Sequence, residues 1–362
     1  MIAGEHSGDE HAARLIRSLR SSQPGLRIAA LGGPEMSEAG AQLLHDLTAS
    51  SVVGLVEVLK NYPFFRALFD ATLAWIAEHR PRAVLFVDYP GFNLRLAAAL
   101  RERGISLKGG GAVRTLFYIS PQIWAWKAKR RFTMARDLDA LAVIFPFEVA
   151  CYADTTLPVT FVGHPFLEDG HVAPVRYDPT GPILLLPGSR KQAVTRIFPA
   201  LLAGFRAFGK RPGAVVYPSD LIGRVIAEAH PPANVTLLPA GTCVAASAVL
   251  TSSGTMSLQC ALATIPGAIA YRANPLTYAI GRWLLTVKYL GIANLLLNET
   301  MYPEYIQAAA TPQALAAELK AACDDPQRAV KTAEQAGRLR EILRQPAGMT
   351  AATWLLHRLS AA

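Results

Sequence analysis

Short, unbroken apolar runs rich in β-branched residues recur at positions 84–87, 115–118, 142–145 and 159–162, and again at 183–186, 214–217, 235–238 and 248–251. Runs of this length that do not alternate with polar residues predict strands covered on both faces, as in parallel sheets. Between them the spacing becomes helical. Ala12, Leu15, Ile16 and Leu19 recur at i, i+3, i+4 steps, and Ser7 with Glu10 has the Ser-x-x-Glu form of a capping box ahead of that face. Strands alternating with helices predict an α/β fold. A polar stretch at 168–182, containing Asp169, Gly170, Pro174, Asp178, Pro179 and Gly181, parts the two strand series and reads as a linker. The expected domains are 1–167 and 168–344, facing a cleft at the carboxyl ends of their strands, where such folds bind ligands. The chain reads as helical from Thr311, and the segment 345–362 is expected to complete the first domain.

Composition narrows the class. Of 362 residues, 51% are hydrophobic and only 17% charged, with a net charge of +9. Soluble domains average about 25% charged residues, so either a large core or a surface that does not face plain water is implied. No stretch of about 18 residues escapes charge, Pro or polar clusters, so no membrane-spanning helix is expected. The opening MIAGEHSGDE lacks the basic and apolar regions of an export signal. Four scattered cysteines, Cys151, Cys243, Cys260 and Cys323, predict free thiols in the cytoplasm, and the histidines lack ligand spacing, so neither metal nor cofactor is expected. The basic surplus raises nucleic acid as a partner, yet only Lys127, Lys129, Arg130 and Arg131 cluster, without a nucleic-acid motif; anionic lipid or a phosphorylated substrate suits the charge better. Two segments, 55–73 and 278–297, border apolar residues with basic ones. Leu59, Phe64, Phe65 and Leu68 in the first form a candidate bilayer surface, with ordinary burial as the alternative.

Candidate chemistry gathers where strands end. Strand 183–186 runs into Pro187-Gly188-Ser189-Arg190, and strand 248–251 into Ser252-Ser253-Gly254-Thr255. Each is a strand, a glycine turn and a helix start, which together expose backbone N–H groups suited to a diphosphate; plain surface turns and N-caps are the alternative. Gln259, one turn further, is a candidate for a ribose hydroxyl. Strand 84–87 ends in Asp88-Tyr89-Pro90-Gly91-Phe92-Asn93, where Asp88 either takes a proton from an attacking hydroxyl or merely organises the turn. The opening loop Gly4-Glu5-His6-Ser7-Gly8-Asp9 is a similar helix start. His164 and Asp169 match the His-x4-Asp spacing of lipid acyltransferases, which arises readily by chance.

Together these stretches resemble the lipid-A-disaccharide synthase family, glycosyltransferase family 19. The resemblance rests on Gly4-Glu5-x-Ser7-Gly8-Asp9, Val53 to Leu59, Asp88-Tyr89-Pro90-Gly91-Phe92-Asn93, Ile119 to Lys127, Phe145-Pro146-Phe147-Glu148, Phe161 to Pro165, Leu186 to Arg190, Ser253-Gly254-Thr255 and Tyr271-Arg272. It implies a GT-B fold, two Rossmann-like domains, and an inverting transfer from UDP-2,3-diacylglucosamine to 2,3-diacylglucosamine 1-phosphate (lipid X) without a metal. It assigns Asp88 and Arg190 to catalysis. Gly188, Ser189, Arg190, Ser253, Gly254, Thr255, Gln259 and Asn294 fall to the UDP-sugar in the second domain, and Glu5, Ser7, Asp9 and Asn93 to the acceptor side. It further implies a monomer or homodimer held peripherally on the cytoplasmic face of the inner membrane. The family pattern has Glu where this chain has Ala193 and Gln259, and Pro where it has Ala293; the first strand is also short. Two rival readings remain: a non-catalytic nucleotide-sugar or lipid binder, suggested by Gln259, and an acyltransferase using His164 and Asp169.

Overall fold

The computed structural model describes residues 1–48, 62–168, 170–209, 211–274, 278 and 287–360. Contacts divide the chain into a first unit, 1–168 with 343–362, and a second, 169–342. The first unit contains β1 (Ile2–Ala3), α1 (His6–Ser22), β2 (Ala29–Gly32), α2 (Pro34–Glu38), β3 (Gln42–Asp46), α3 (Tyr62–His79), β4 (Ala83–Val87), α4 (Pro90–Glu102), β5 (Arg114–Tyr118), α5 (Arg130–Asp137), β6 (Ala140–Val143) and β7 (Val159–Phe161). Its seven strands are all parallel, in the order β3-β2-β1-β4-β5-β6-β7. The apolar runs read from the sequence supply its centre: Phe86, Leu116, Phe117 and Leu141 are fully buried, and Leu96 and Leu100 of α4 share one core cluster with Phe86, Phe117 and Leu141.

The second unit contains β8 (Val175–Tyr177), β9 (Ile183–Leu186), α6 (Lys191–Phe208), β10 (Gly213–Tyr217), α7 (Asp220–Ala227), β11 (Val235–Pro239), β12 (Val244–Ala246), β13 (Ala248–Thr251), α8 (Thr255–Leu262), β14 (Gly267–Tyr271), α9 (Ile292–Leu297), β15 (Glu304–Ile306), α10 (Pro312–Asp324) and α11 (Pro326–Leu343). Its main sheet is parallel in the order β11-β10-β9-β13-β14-β15, and β12 pairs with β8 in a separate ribbon. Ile183, Leu185, Val215 and Leu250 lie beneath Val194, Ile197, Phe198 and Leu201 of α6 in its core. A last helix, α12 (Ala351–Ser360), belongs to the first unit and packs on α1.

Two local expectations shift. The sixth strand lies two residues earlier than the apolar run 142–145, because Pro146, which has no N–H to donate to a sheet, opens a 3₁₀ turn, Pro146–Tyr152. Ser7 does not cap α1. The helix begins at His6 with Glu5 as its extended N-cap, and Glu10 instead faces His6 at 3.4 Å. Among the described residues no helix is long and apolar enough to cross a membrane.

Candidate active site

Strand order in the second unit reverses between β9 and β13, and the turns 187–190 and 252–255 leave the carboxyl ends of these two strands. Register from Ala248↔Ile183 to Thr251↔Leu186, and the Ser252 N–H donating to the Leu186 carbonyl at 2.8 Å, set the turns side by side. Gly188 has φ +107°, and a Cβ on it would meet Ser252 Oγ at 3.2 Å; backbone and close approach both call for glycine. Ser189 and Arg190 are exposed, with Arg190 the N-cap of α6, while Gly254 is the N-cap of α8 and Ser253 is half-buried beside it. A crevice at a strand-order reversal, with two helix starts and a guanidinium, can hold a diphosphate.

Asn294 needs correcting as a ligand contact, and Gln259 has a partner within the protein. Gln259 is buried, and its Oε1 lies 3.2 Å from His171 Nε2, a contact that occupies one of the two lone pairs of that oxygen when Nε2 carries the ring proton. Asn294 is fully buried. Its Nδ2 donates to Tyr302 O at 2.6 Å and Glu304 Oε1 at 2.8 Å, and its Oδ1 accepts from the Met301 and Tyr302 N–H groups at 2.9 Å each. Both amide hydrogens and both lone pairs are thereby used within the protein. Asn294 holds the loop before β15 rather than meeting a ligand. Beside the end of β14, a cavity of about 570 Å³ is lined by Arg196, Arg272, Tyr278 and Gln307. Of these, the sequence pattern marks only Arg272, within Tyr271-Arg272; Arg196 lies within α6, six residues beyond Arg190, and no motif singles it out.

In the first unit the reversal falls between β1 and β4, bringing the loop after Ala3 beside the loop after Val87. Asp88 and Tyr89 both have left-handed backbone, φ +47° and +49°. Such geometry costs about 1–3 kcal/mol at a non-glycine residue and persists only where the surroundings enforce it. Here Asn93, fully buried, donates its Nδ2 to Asp88 O at 2.8 Å and Ile2 O at 3.3 Å, and the ring of Tyr89 occupies the space that a Cβ on Gly4 would need. The Asp88 side chain is half-buried at the carboxyl edge.

Two acceptor-side expectations are corrected. Asn93 points inward and braces the Asp88 loop from beneath. Asp9 is buried and accepts from the N–H groups of Gly33 at 2.8 Å, Glu35 at 3.1 Å and Met36 at 3.3 Å, so its carboxylate caps α2. Burial still pushes its pKa up, against the pull of those three bonds. Glu5 and Ser7 are half-buried around the first turn of α1. His164 is buried against Phe145 and Phe166 and accepts the Phe166 N–H at 3.2 Å, a structural turn; its expected partner Asp169 lies outside the described residues. Leu59 also lies outside them. Phe64 is exposed and meets Phe65 edge-on at 5.5 Å, but Leu68 packs against the core.

Glu148, to which the sequence pattern gives no role beyond the Phe145–Glu148 stretch, also belongs to this edge. Glu148 is buried, accepts the Trp124 indole N–H at 3.2 Å and the Phe145 N–H at 3.1 Å, and has its pKa pushed up to about 8, chiefly by burial, with the charge of Asp88 adding to the rise. Its position three residues after Phe145, the spacing of a helix-start carboxylate, was the signal.

Comparison with known proteins identifies the family. A family model for lipid-A-disaccharide synthetase matches residues 1–211 and 222–355. A lipid-A-disaccharide synthase of Geobacter sulfurreducens is 35% identical over 355 residues, covering 92% of this chain and 89% of that protein. Lipid-A-disaccharide synthase 1 of Legionella pneumophila subsp. pneumophila is 35% identical over 364 residues, covering 95% and 92%. Among solved structures, the glycotransferase of kitacinnamycin aligns over 99% of this chain and 97% of its own with a TM-score of 0.59 at 17% identity. Arabidopsis thaliana UGT89C1, solved in complex with UDP, aligns over 99% and 98% with a TM-score of 0.59 at 11% identity, a likeness of fold alone.

Proposed function

The chain belongs to the lipid-A-disaccharide synthase family of glycosyltransferases, and from that premise we propose that it joins UDP-2,3-diacylglucosamine to 2,3-diacylglucosamine 1-phosphate, giving the β-1,6-linked disaccharide 1-phosphate and UDP. Its fold is GT-B, and its substrates are a sugar nucleotide and a lipid. The acceptor 6-oxygen attacks the anomeric carbon as the bond from that carbon to the diphosphate oxygen breaks, inverting the α-linked donor. The 6-hydroxyl proton passes to the Asp88 carboxylate, and the electron pair leaves on UDP. Arg190 and the N–H groups of the turns at Gly188 and 253–255 meet the charge growing on the diphosphate, where preorganised donors contribute most. The first unit is then the acceptor side and the second the UDP-sugar side.

The observation that carries this reading is the pairing of β9 with β13, which sets the Arg190 turn beside the Ser253–Thr255 turn at the strand-order reversal. Membrane attachment follows from the substrates: a diacylated sugar resides in a bilayer, and exposed Phe64 beside Arg66 can lie at the headgroup plane on the cytoplasmic face of the inner membrane. The test is incubation of the purified protein with both lipids. One UDP should be released per disaccharide formed, with a β linkage. Binding of both lipids without UDP release would reject the enzyme reading in favour of a binding protein, the alternative that Gln259, in place of the family's Glu, motivates.

A further inference from the structure

We propose that Lys127 and Arg130, set around the exposed ring of Trp126, hold the phosphate of the acceptor sugar. This rests on the proposed reaction and assigns one end of its acceptor. The three residues follow β5, the strand hydrogen-bonded to β4, whose own loop carries Asp88. Lys127 Nζ lies 4.4 Å and Arg130 Cζ 5.6 Å from the Trp126 ring centroid, and the ring is 39% exposed. Two cations drawn to one ring repel each other, and an anion received between them removes that repulsion.

The basic residues of this segment sort by partner. Arg131 makes two bonds of 2.6 Å to Asp154, and Arg136 makes bonds of 2.8 and 2.9 Å to Asp137. Among the described residues, Lys127, Lys129 and Arg130 have no carboxylate within ion-pair distance. Arg130 is also half-buried, and that burial pulls its pKa down, the sign of a charge whose lost hydration is not fully replaced. The loop is anchored from below by the Trp124–Glu148 bond. A planar guanidinium beside a compact ammonium suits a phosphate monoester, which the first can grip in bidentate fashion and the second as a point charge. In an α-glucosamine 1-phosphate the phosphate and the arm that carries the 6-hydroxyl lie on opposite faces of the ring. A phosphate site on the loop neighbouring Asp88, rather than on the Asp88 loop itself, meets that requirement.

The experiment uses the full chain in neutral detergent micelles and measures calorimetric binding of short-chain 2,3-diacylglucosamine 1-phosphate and of the same compound without its phosphate. The parent should prefer the phosphorylated form by about tenfold or more, since each charge-assisted bond contributes about that factor. Lys127→Ala/Arg130→Ala should bind the two alike, while melting at the parent temperature and binding UDP as the parent does. A parent without preference, or a variant that keeps it, overturns the assignment. Co-sedimentation with phosphatidylglycerol vesicles separates a bilayer headgroup from the sugar phosphate: parent and variant should sediment equally, and loss of vesicle binding with the sugar-phosphate preference intact overturns it as well. No turnover enters the measurement. A chain that binds with the preference but releases no UDP refutes the reaction alone, and one that turns over without the preference refutes only this site.

Discussion

The two sheets solve the same problem at their carboxyl edges by different means. In the second unit the positive-φ positions of these turns are Gly188 and Gly254, and Ser189 and Arg190 stand exposed beyond the first of them. In the first unit positive φ is taken by Asp88, Tyr89, Ile119 and Lys127, between +47° and +67° and none of them glycine, and the buried polar side chains there include Asn93 and Glu148. A glycine turn needs little support but fixes only backbone. A strained aspartate fixes a carboxylate, and it needs a brace. The contrast suits a diphosphate held by N–H groups on one side and a proton acceptor held at one angle on the other.

The sharpest way to break the comparison is to remove one functional group from each edge. Asp88→Asn keeps the shape and should lower kcat by about 10²–10⁴-fold, the contribution of a positioned base. Arg190→Ala should lower kcat/KM by about 10²–10³-fold, as expected when one donor to a developing negative charge is lost. UDP release at saturating lipids gives both numbers, and unchanged melting temperatures separate chemistry from folding. An Asp88→Asn enzyme with more than about a tenth of the parent rate would mean that its carboxylate only organises the turn.

Next in size is a purely structural loss. Asp9→Ala leaves the N–H groups of Gly33, Glu35 and Met36 without their carboxylate and should destabilise the first unit by about 3 kcal/mol, since buried donors left unpaired cost about 1–3 kcal/mol each with partial relief by water. Thermal melting should register the loss while kcat of the folded enzyme stays near the parent value. A selective collapse of kcat with unchanged melting would return Asp9 to the acceptor side.

These two kinds of residue look alike in a sequence, which explains how far the reading went. The central strands of both sheets were legible because a strand covered on both faces must be apolar throughout, as at Ile183–Leu186. Short or glycine- and alanine-rich strands such as β2 and β14 carry no such signature and were passed over. The turns at 187–190 and 252–255 were legible because a strand, a glycine and a helix start follow one another directly. Asp9, Asn93 and Asn294 were assigned to ligands because a polar residue in a loop motif suits either a ligand or a buried backbone group, and only burial and partner geometry separate the two. Glu148 was hidden for the opposite reason: its chemistry depends on Trp124, 24 positions away, and on the nearby charge of Asp88.

That brace can be titrated. With its pKa pushed up to about 8 from an ordinary 4.5, Glu148 is protonated in the folded chain at neutral pH but ionised in the unfolded one. Its contribution to stability is therefore fully present below pH 4.5 and is lost as the pH rises to about 8, at up to about 1.4 kcal/mol per pH unit. Asp88, Tyr152 and Cys151 are the titratable groups that feel its charge. Glu148→Gln should flatten the stability profile between those limits while keeping the side chain's size; the Trp124 and Phe145 N–H groups meet different Glu148 oxygens, so the amide keeps one of the two bonds and loses the other equally at every pH. Denaturant midpoints at pH 5, 6, 7 and 8 measure the slope. A variant that loses stability with pH as steeply as the parent would place the titration elsewhere.

The smallest effect is expected at Gln259, where the family pattern has Glu. If this position served a ribose hydroxyl directly, restoring the carboxylate would strengthen donor binding strongly, because a charged acceptor makes a stronger hydrogen bond than an amide oxygen. With Oε1 3.2 Å from His171 Nε2, the new charge would mainly deepen that local pair. It would also add a negative group to the unit proposed to hold a diphosphate, so gain and repulsion offset each other. Gln259→Glu is accordingly expected to change KM for the UDP-sugar by less than about threefold, under 1 kcal/mol, at unchanged kcat. Steady-state rates across donor concentrations, repeated with His171→Ala to release the side chain, give the measurement. A drop in KM of about thirtyfold or more in the single variant would show that the amide is a defect of the nucleotide site, and that the second edge depends on a buried side chain just as the first does.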